Sequence, residues 1–560
     1  MPSLEWIGKK AVVNHHREVP YRLLHCDKSK SVGDPDAGNL LVQADNLEAL
    51  KALLPYYAGT INCIYIDPPY NTGNEGWIYN DNVNSPEIKA WLGSVVGKEA
   101  EDLSRHDKWL CMMYPRLRLL HEFLAEDGIL LCSINDFELH HLKSLLSSIF
   151  QANNFIACFI WINEGNIDNQ SKIKTNHEYV VAFGRREERF APGAIIDPNI
   201  DQGSKLLNDK IANTIVKNGP KNPISELVLP RGFPANFQEG VIEPNNTPNV
   251  WPKFDAPIRV RDGKVEQEAR IRSGWSSKNL FDLFVAANFH DLIDRRGQRT
   301  RFYLTKSGAV YVEKDRSENQ SHILTALAGM GTVQEAAAQL KDMGVTFSYP
   351  KPLRLISYLL TAACGDADAT FMDSFAGSGT TGHAVLELNR RDNGTRKFIC
   401  VELDPDICEK VTAPRLAAAI KGFGDNPGTG GGYRYCTLGE PLFDGDGNLS
   451  PSVAFSDLAA HVFFCETGSP LPHRADGSSP LIGTFQGRAI YLLFSSSSVG
   501  FADTRAGNVL TTTSLKDLLA SPPGFSGHRV VYAEGCTVPE DRLTAADVTF
   551  KQMPYQIEGL

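Results

Sequence analysis

Long apolar runs are missing from this chain of 560 residues, and no stretch approaches the roughly 20 apolar residues that a membrane-spanning helix requires. The first ten residues, MPSLEWIGKK, also lack the apolar run of a signal peptide. The eleven cysteines include no C-x-x-C pair, and several lie within apolar runs, as Cys63, Cys132 and Cys400 do. We therefore expect a cytoplasmic protein with reduced core cysteines, no metal and no membrane association.

A surplus of positive charge is missing as well, because the formal net charge is −10. Any contact with nucleic acid must then come from a local basic surface. Such a surface is predicted between Trp251 and Arg316, where arginines cluster among aromatic residues. The clusters are Arg259 and Arg261, Arg270 and Arg272, Arg295 and Arg296, and Arg299 and Arg301. The alternative to a DNA-binding face is the solvated surface of an ordinary insert.

The most informative motif present is the DPPY turn, Asp67-Pro68-Pro69-Tyr70, which follows the apolar run Ile61–Ile66. Each proline fixes φ and lacks an N–H, so both proline carbonyls are predicted to stay free as acceptors. Asp67 adds a carboxylate, and Tyr70 adds a flat aromatic face. An exocyclic amine on a planar base fits this set, because its N–H groups meet acceptors while its ring stacks on tyrosine. A proline-rich turn without a ligand is the alternative.

A second motif, Phe371–Gly382, is typical of a strand, a turn of small residues and the start of a helix. Gly377 and Gly379 let the backbone approach a ligand closely, because they have no Cβ. The next predicted strand, Lys397–Val401, is followed by Glu402, the position at which such units bind ribose hydroxyls. No Lys-Ser/Thr ending follows the glycines, so a nucleoside triphosphate is not expected. Tight strand–helix packing is the alternative role for the glycines.

Together, the two motifs resemble those of the β-group of DNA amino-methyltransferases, in which D-P-P-Y precedes F-x-G-x-G. The chain also resembles the modification subunits of type III restriction systems. The flanking segments that carry this resemblance are Asn39–Leu50, Asn71–Asn74, Tyr114–Leu117, Asp127–Asp136 and His177–Tyr179. The resemblance extends over nearly the whole chain and is weakest between residues 185 and 345. It implies S-adenosylmethionine as cofactor and double-stranded DNA as substrate.

The same resemblance implies roles for single residues. The turn Asp67, Pro68, Pro69 and Tyr70 is expected to hold and stack a flipped base. The implied cofactor-binding residues are Asp45, Asp67, Lys351, Asp373, Phe375, Gly377, Gly379, Thr380 and Glu402. Phe375 and the two glycines would line the methionine moiety, and Glu402 would bind the ribose. Asp45 is expected at the adenine or amino group, with a helix N-cap as the alternative, and Lys351 at the carboxylate.

Alternating strands and helices predict an α/β fold with a doubly wound, mostly parallel sheet. The resemblance implies the seven-stranded sheet of S-adenosylmethionine-dependent methyltransferases, with an inserted target-recognition domain and a small α+β C-terminal appendage. The predicted domains are the catalytic core with the DPPY turn in 1–185, the DNA-binding insert in 186–345, the cofactor-binding part of the core in 346–425 and an accessory domain in 433–560.

The predicted function is site-specific methylation of adenine N6 in double-stranded DNA, as the modification component of a restriction or phage-defence system. A cytosine-N4 methyltransferase is the nearest alternative, although Asp67 argues against it because the cytosine group tends to carry serine there. A DNA-recognition subunit with a vestigial core is a third hypothesis, and the intact motifs argue against it. The resemblance implies a homodimer and leaves open a nuclease or translocase partner.

Histidines attract no metal prediction. His15-His16 and His140-His141 are adjacent pairs, and neighbours in sequence do not face one metal from a helix. The segment His177-Glu178-Tyr179 is expected to pack beside the base pocket.

Overall fold

The structure is a computed structural model, and it describes residues 4–71, 93–95, 104–163, 172–200, 204, 207–294, 297–315, 321–444 and 446–553. The chain divides into two compact units. The first unit comprises Met1–Gly193 and Leu324–Leu560, and the second comprises Ala194–Ile323. Within the described ranges, no helix combines the length and the apolar character that a membrane crossing requires.

The helices and strands follow one another in three stretches of chain. The first stretch contains α1 (Lys9–Val12), α2 (His15–Glu18), β1 (Arg22–Gly33), β2 (Leu40–Gln43), α3 (Asn46–Tyr57), β3 (Ile61–Ile66), α4 (Arg105–Phe123), β4 (Leu124–Ile134), α5 (Leu139–Phe150), β5 (Phe155–Ile162) and β6 (His177–Gly184). The second unit contains β7 (Lys210–Thr214), β8 (Ser225–Leu229), β9 (Gly240–Ile242), β10 (Ile258–Arg261), β11 (Lys264–Val265), β12 (Ala269–Ser273), α6 (Lys278–Ala286), β13 (Leu292–Ile293), β14 (Arg299–Leu304) and β15 (Val310–Asp315). The last stretch contains β16 (Ala326–Leu327), α7 (Val333–Asp342), α8 (Leu353–Ala363), β17 (Thr370–Asp373), α9 (Thr380–Asp392), β18 (Lys397–Glu402), α10 (Pro405–Ile407), α11 (Ala413–Lys421), β19 (Gly422–Phe423), β20 (Asn426–Pro427), β21 (Gly432–Pro441), α12 (Phe455–Thr467), β22 (Leu481–Phe485), β23 (Arg488–Leu492), β24 (Val509–Leu510), α13 (Thr512–Leu519), β25 (His528–Ala533), β26 (Gly535–Cys536), α14 (Glu540–Ala545) and β27 (Val548–Gln552).

A ten-stranded mixed sheet dominates the first unit, with the strand order β1-β21-β2-β18-β17-β3-β4-β6-β5-β16. The central strands from β2 to β4 run parallel to one another, whereas β6 pairs antiparallel with both β4 and β5. The sequence predicted seven strands, so the sheet is wider than predicted. The reason is local: β1 is largely polar and has one buried residue, and β16 has two residues, so neither has the apolar pattern of a strand.

The central strands are buried on both faces, as parallel strands covered by helices usually are. Five of the six residues of β3 and five of the six residues of β18 are buried. Leu50 of α3 and Leu117 of α4 belong to the same buried cluster as Ile64 and Val401 of the sheet. Apolar burial of this kind contributes roughly 25 cal/mol per Å² and makes this sheet the rigid frame of the unit.

Strands β3 and β17 are neighbours in this sheet although about 300 residues separate them in sequence. They pair in parallel, with Phe371 opposite Cys63 and Met372 opposite Ile64. The DPPY turn leaves the carboxyl end of β3, and the glycine-rich turn (Ser374–Gly379) leaves the carboxyl end of β17. Because carboxyl ends of adjacent parallel strands share one edge, the two turns meet there.

Three predicted domain boundaries differ from the structure. The predicted insert of 186–345 extends beyond the second unit at both ends, because β16 pairs with β5 of the main sheet and α7 belongs to the first unit. The predicted start of the accessory domain at 433 falls inside β21, which pairs with β1 and β2. After β21, a separate four-stranded sheet with the order β22-β23-β25-β27 packs against α12.

One expectation about cysteine was wrong. Cys26 of β1 and Cys436 of β21 are direct cross-strand partners and form a disulfide, with a Cα–Cα distance of 4.1 Å. The other nine cysteines are free. The sequence could not predict this pair, because 410 residues separate its members and β1 has no clear strand pattern.

The second unit has its own core of aromatic side chains. It contains a four-stranded antiparallel sheet, β13-β14-β15-β7, together with a three-stranded and a two-stranded sheet. Phe281 and Phe284 of α6 contact Phe302 of β14, with ring centroids 5.6 Å and 5.4 Å apart. In β14 buried and more exposed residues alternate, so one face of the strand packs on the core while the other carries arginines.

Candidate active site

A cavity of about 510 Å³ opens where the DPPY turn and the glycine-rich turn meet. The predicted site residues that line it are Asp67, Pro69, Lys351, Asp373, Phe375, Gly377, Thr380 and Glu402. Pro68, Tyr70, Asp45 and Gly379 are not among its lining residues. The structure therefore brings most of the predicted residues of both motifs to one cavity.

The Asp67 carboxylate has one paired and one unpaired oxygen. Its Oδ2 accepts a hydrogen bond of 2.7 Å from the Lys351 ammonium. Its Oδ1 is buried and has no hydrogen-bond partner among the described residues. A buried oxygen without a donor is costly, so this atom is an acceptor that a ligand N–H can satisfy.

The two proline carbonyls of the turn differ in availability. The Trp109 indole N–H of α4 donates to the Pro69 carbonyl at 2.7 Å. The prediction that both carbonyls stay free was therefore wrong for Pro69. The Pro68 carbonyl accepts no hydrogen bond from any described residue, so it can accept one from a ligand.

Lys351 is nearly fully buried, and two carboxylates hold its charge. Its ammonium lies 2.7 Å from Asp67 Oδ2 and 3.4 Å from Glu178 Oε2. Burial alone would lower the pKa of Lys351, but the two carboxylates outweigh burial and leave its pKa above the usual value. Lys351 is therefore a fixed cation beside the DPPY turn, and its predicted contact with a cofactor carboxylate has no support in these contacts.

Tyr70, the last residue of the DPPY turn, is buried, and both its ring and its hydroxyl contact neighbouring side chains. The hydroxyl donates to Glu178 Oε2 at 2.8 Å, and the Lys351 ammonium lies 5.0 Å from the ring centroid. Burial, with the nearby Asp67 and Glu178 carboxylates, raises the pKa of Tyr70 well above its usual value, so the phenol stays neutral. These contacts place Glu178 beside the DPPY turn, and the expectation that the segment His177-Glu178-Tyr179 packs beside a base pocket stays a prediction.

The glycine-rich turn is tied to the end of β18. The Gly377 N–H donates to Glu402 Oε2 at 2.7 Å, and the Asp404 N–H donates to the other oxygen of Glu402 at 3.0 Å. Gly377 has φ 52° and Gly379 has φ 77°, a region that favours glycine. A Cβ on Gly379 would lie 3.1 Å from the Thr412 methyl group. The turn is thus specific to glycine and presents its backbone to the cavity.

Asp373 lies at the end of β17 and is almost completely buried. Its carboxylate accepts from the Thr381 hydroxyl at 2.6 Å and from the Phe375 N–H at 3.0 Å. Burial raises the pKa of Asp373 to about 7, and the two hydrogen bonds oppose that rise. This carboxyl therefore changes its charge near neutral pH, at the wall of the cavity.

Asp45 has the geometry of a helix N-cap, which was the alternative to its predicted role at the cofactor. Its side chain caps α3, accepting from the Leu47 N–H at 2.9 Å and the Glu48 N–H at 3.3 Å. Its other oxygen pairs with the Arg116 guanidinium at 3.0 Å. Asn46, next in the chain, lines the cavity instead and donates to the Ser374 carbonyl at 2.9 Å.

The predicted DNA-binding arginines lie in the second unit. Arg259, Arg261, Arg270, Arg272 and Arg299 are exposed, and Arg301 is half-buried, whereas Arg295 and Arg296 lie outside the described residues. Most of the described ones pair with acids, namely Arg261 with Glu266, Arg270 with Glu226 and Glu268, Arg272 with Asp255, Arg299 with Asp291 and Arg301 with Glu313. These pairs reduce the positive field of the surface, so its role in DNA binding stays a prediction.

Sequence reasoning missed a group of residues that support the DPPY turn. Trp109 was not predicted as a site residue, yet its indole N–H donates to the Pro69 carbonyl. Glu138 attracted no prediction, although it is completely buried and binds His106, His141 and the Asn71 side chain. The residues of this group come from separate elements of the chain, so no local spacing in the sequence could have indicated that they meet.

Comparisons with known proteins find a family match that spans both turns. A family model described as DNA methylase, of the N6/N4 type, matches residues 61–413, which include both turns. The EcoP15I Mod subunit, a type III restriction-modification enzyme of Escherichia coli, is 27% identical over 73% of this chain and 66% of its own length. The EcoPI Mod subunit of Escherichia phage P1 is 30% identical over 72% of this chain and 63% of its own length.

A further relative is named as a type II methyltransferase and not as a type III subunit. The type II methyltransferase M.KpnI of Klebsiella pneumoniae is 29% identical over 64% of this chain and 79% of its own length. The matches to the two Mod subunits span just under two thirds of the length of those relatives.

Proposed function

The chain belongs to the N6/N4 family of DNA methylases, and from that premise we propose that it transfers a methyl group from S-adenosylmethionine to N6 of adenine in double-stranded DNA. One observation carries the proposal: Asp67, whose Oδ1 has no hydrogen-bond partner among the described residues, lines the same cavity as Gly377 of the glycine-rich turn. An amine acceptor and a cofactor cradle are thereby adjacent, which is the arrangement that direct transfer between two bound molecules needs.

The cavity fits the proposed cofactor in size and in chemistry. Its volume of about 510 Å³ is within the usual range of sites for small ligands. Gly377 lines the cavity with φ 52°, so its backbone faces a ligand there without a Cβ, and the Glu402 carboxylate lies in the cavity wall at the end of β18, the position at which such units bind ribose hydroxyls. When bound there, S-adenosylmethionine would supply a sulfonium methyl group: the S–CH3 bond would break as the N–CH3 bond forms, S-adenosylhomocysteine would leave as a neutral thioether, and the amine would lose one proton to solvent.

Asp67 and the Pro68 carbonyl would bind the two N–H groups of the adenine amine. The lone pair of this amine is delocalised into the ring, which makes the nitrogen a poor nucleophile. Two acceptors placed on the N–H groups favour a pyramidal nitrogen and direct the lone pair into the cavity. The role of these residues is therefore orientation and electrostatic stabilisation of the positive charge that develops on nitrogen.

Lys351 would keep Asp67 in the orientation that this role requires. It occupies only Oδ2, so Oδ1 remains available to the amine. Because the ammonium donates to Oδ2, the Asp67 side chain acts as an acceptor in this contact, which is the role that binding an amine N–H requires. Glu178 completes the set, because it binds both Lys351 and the Tyr70 hydroxyl and fixes the ring on which the flipped base would stack.

The proposal also covers the contacts with DNA and the protein partners. Flipping a base out of the duplex costs a few kcal/mol, which contacts elsewhere on the DNA must offset. The arginines of the second unit are the candidates for such contacts, with Arg259 the first to test because no acid pairs with it among the described residues. Relatives named as Mod subunits of type III restriction-modification enzymes support a role in a type III system. The assembly that we propose, a homodimer with a separate restriction subunit, rests on the family resemblance alone.

Cytosine N4 is the second candidate target, because the matching family includes both N6 and N4 methylases. The DPPY turn would offer the same acceptors to the exocyclic amine of cytosine. Asp67 favours adenine by resemblance, since the cytosine-N4 group tends to carry serine at the corresponding position.

Single-molecule sequencing of DNA from cells that express the protein tests the function directly. The host should lack its own adenine methylation, so that every modified base comes from this chain. We expect N6-methyladenine in one short sequence, and N4-methylcytosine instead would select the second candidate. A complete lack of modification by the folded protein, together with no binding of S-adenosylmethionine in calorimetry, would refute both.

The variant Asp67→Ala separates the two halves of the proposed site. We expect methyl transfer to disappear while the Kd for S-adenosylmethionine changes by less than about tenfold, because Asp67 acts on the amine. Asp36→Ala is the matched control, since Asp36 is an exposed carboxylate outside the cavity. Full activity of Asp67→Ala would remove the DPPY turn from the mechanism.

A further inference from the structure

The residue that follows Tyr70 is held in an unusual conformation by buried contacts. Asn71 is 3% exposed and has φ 58°, in the left-handed region that asparagine tolerates better than most residues. Its side-chain amide donates to the Arg105 carbonyl at 3.2 Å and to the Glu138 carboxylate. The chain direction directly after the DPPY turn is thus fixed by α4 and by the segment between β4 and α5.

Glu138 is the centre of this set, and it is completely buried. His106 Nδ1 lies 2.6 Å from one carboxylate oxygen, and His141 Nδ1 lies 2.7 Å from the other. Together with Asn71, these rings supply three hydrogen-bond donors to one carboxylate when each Nδ1 carries its proton. A buried carboxylate is tolerated only when it is hydrogen-bonded in this way, so the arrangement has to be maintained as a whole.

The Trp109 indole adds a second restraint from the same helix. His106 and Trp109 lie three residues apart in α4, so their side chains leave one face of the helix. The first binds Glu138, and the second donates to the Pro69 carbonyl. The DPPY turn is therefore restrained at Pro69 and at Asn71, on both sides of Tyr70.

We propose that Glu138 is a positioning residue for methyl transfer: through Asn71 it fixes the end of the DPPY turn, and His106 and His141 hold it in place. The inference rests on the proposed function, because it assigns the turn its role in holding the amine. Glu138 itself touches neither substrate nor cofactor. Its effect is on the geometry of the turn, where a displacement of an ångström costs a large part of the rate.

Two imidazoles and a carboxylate could also bind a transition metal, and the three side chains lie close enough to do so. The contacts favour the hydrogen-bonded arrangement. Both Nδ1 atoms face Glu138 at hydrogen-bond distance, and the Asn71 amide, which is not a metal ligand, binds the same oxygen as His106. A metal would have to displace these donors.

The test uses the full chain and a DNA duplex that contains the sequence found modified in cells. Glu138→Gln keeps the shape of the side chain but removes its charge, and Asn71→Gly keeps the backbone conformation but removes the amide. We expect kcat to fall about tenfold in each, as loss of a charge-assisted hydrogen bond implies. The Kd for S-adenosylmethionine should stay within about twofold of wild type, since neither residue reaches the cofactor cradle.

The double variant Asn71→Gly/Glu138→Gln shows whether the two residues act through each other. Both changes remove the same contact, so kcat should fall about tenfold to 30-fold and not by the roughly 100-fold product of independent effects. His140→Gln is the control, because His140 is an exposed imidazole beside His141 that makes no hydrogen bond to Glu138. It should retain wild-type kcat.

The possible results separate this inference from the proposed function. A wild-type protein that methylates DNA while both single variants keep full kcat would overturn the positioning role alone. A multiplicative double variant would also overturn it. Zn²⁺ binding by wild type that is lost in Glu138→Gln would replace the proposal by a metal site. If wild type itself transfers no methyl group, the proposed function fails before Glu138 is tested.

Discussion

Replacing Asp373 by asparagine should stabilise the protein more at alkaline than at acidic pH. The pKa of Asp373 is raised by burial from 3.8 to about 7, so the folded state disfavours its charged form. The unfolded chain loses this proton near the ordinary value, and the folded chain keeps it to about neutrality. Because the folded state then binds more protons in this window, the free energy of unfolding falls as the pH rises through it.

The magnitude follows from the pKa difference. Above neutrality the full difference applies and costs the folded protein at most roughly 4 kcal/mol, whereas near pH 5 it costs roughly 2 kcal/mol. Asparagine has no charge to bury, and its amide can still accept from the Phe375 N–H. The advantage of Asp373→Asn over wild type should therefore grow by about 2 to 3 kcal/mol between pH 5 and pH 8.

Urea unfolding of wild type and Asp373→Asn at the two pH values, without ligand, measures how far the stability difference between them increases. Constant effects of the substitution, such as a weaker bond with Thr381, cancel when the two pH values are compared. Asp36→Asn is the control, since an exposed carboxylate should show no such growth. A stability difference between Asp373→Asn and wild type that is the same at both pH values would refute the argument from burial.

The remaining predictions concern the turns. Lys351→Met leaves the Asp67 carboxylate without its 2.7 Å ion pair, and we expect initial rates of methylation to fall at least about 100-fold; unchanged rates would exclude Lys351 from the mechanism. Trp109→Phe keeps the packing but removes the donor to Pro69, so urea unfolding should show a loss of about 1 kcal/mol, and equal stability would contradict the contact. Gly379→Val adds a side chain at φ 77° against a threonine methyl group, and calorimetry should give a Kd for S-adenosylmethionine at least about tenfold higher; an unchanged Kd would move the cofactor site elsewhere.

The meeting of the two motifs could be predicted from sequence because each one follows a short apolar strand. Parallel strands place their carboxyl ends at one edge, so Asp67 and Gly377 were expected near each other, and both line the cavity. The width of the sheet could not be predicted in this way. The outer strand β1 is largely polar and has no apolar alternation, so only its pairing with β21 identifies it.

Side-chain partners were harder to predict than backbone positions. Asp45 has the sequence pattern of both a ligand-binding acid and a helix cap, and only the structure shows the cap. Lys351 was assigned to the cofactor because it precedes the glycine-rich strand, but its nearest partners are Asp67 and Glu178. Contacts between residues hundreds of positions apart depend on packing, which local patterns do not contain.

The strand order also determines when, during synthesis on the ribosome, each strand can pair with its neighbours in the sheet. Strand β2 ends at residue 43, yet its neighbours in the sheet are β18 and β21, which end at residues 402 and 441. At roughly 5 to 20 residues per second, about 20 to 80 s pass before the nascent chain contains both of them. During that interval the apolar strand β2 lacks both of its neighbours and the apolar strand β3 lacks β17 on one side, so the growing polypeptide is a natural client for chaperones until its last third emerges.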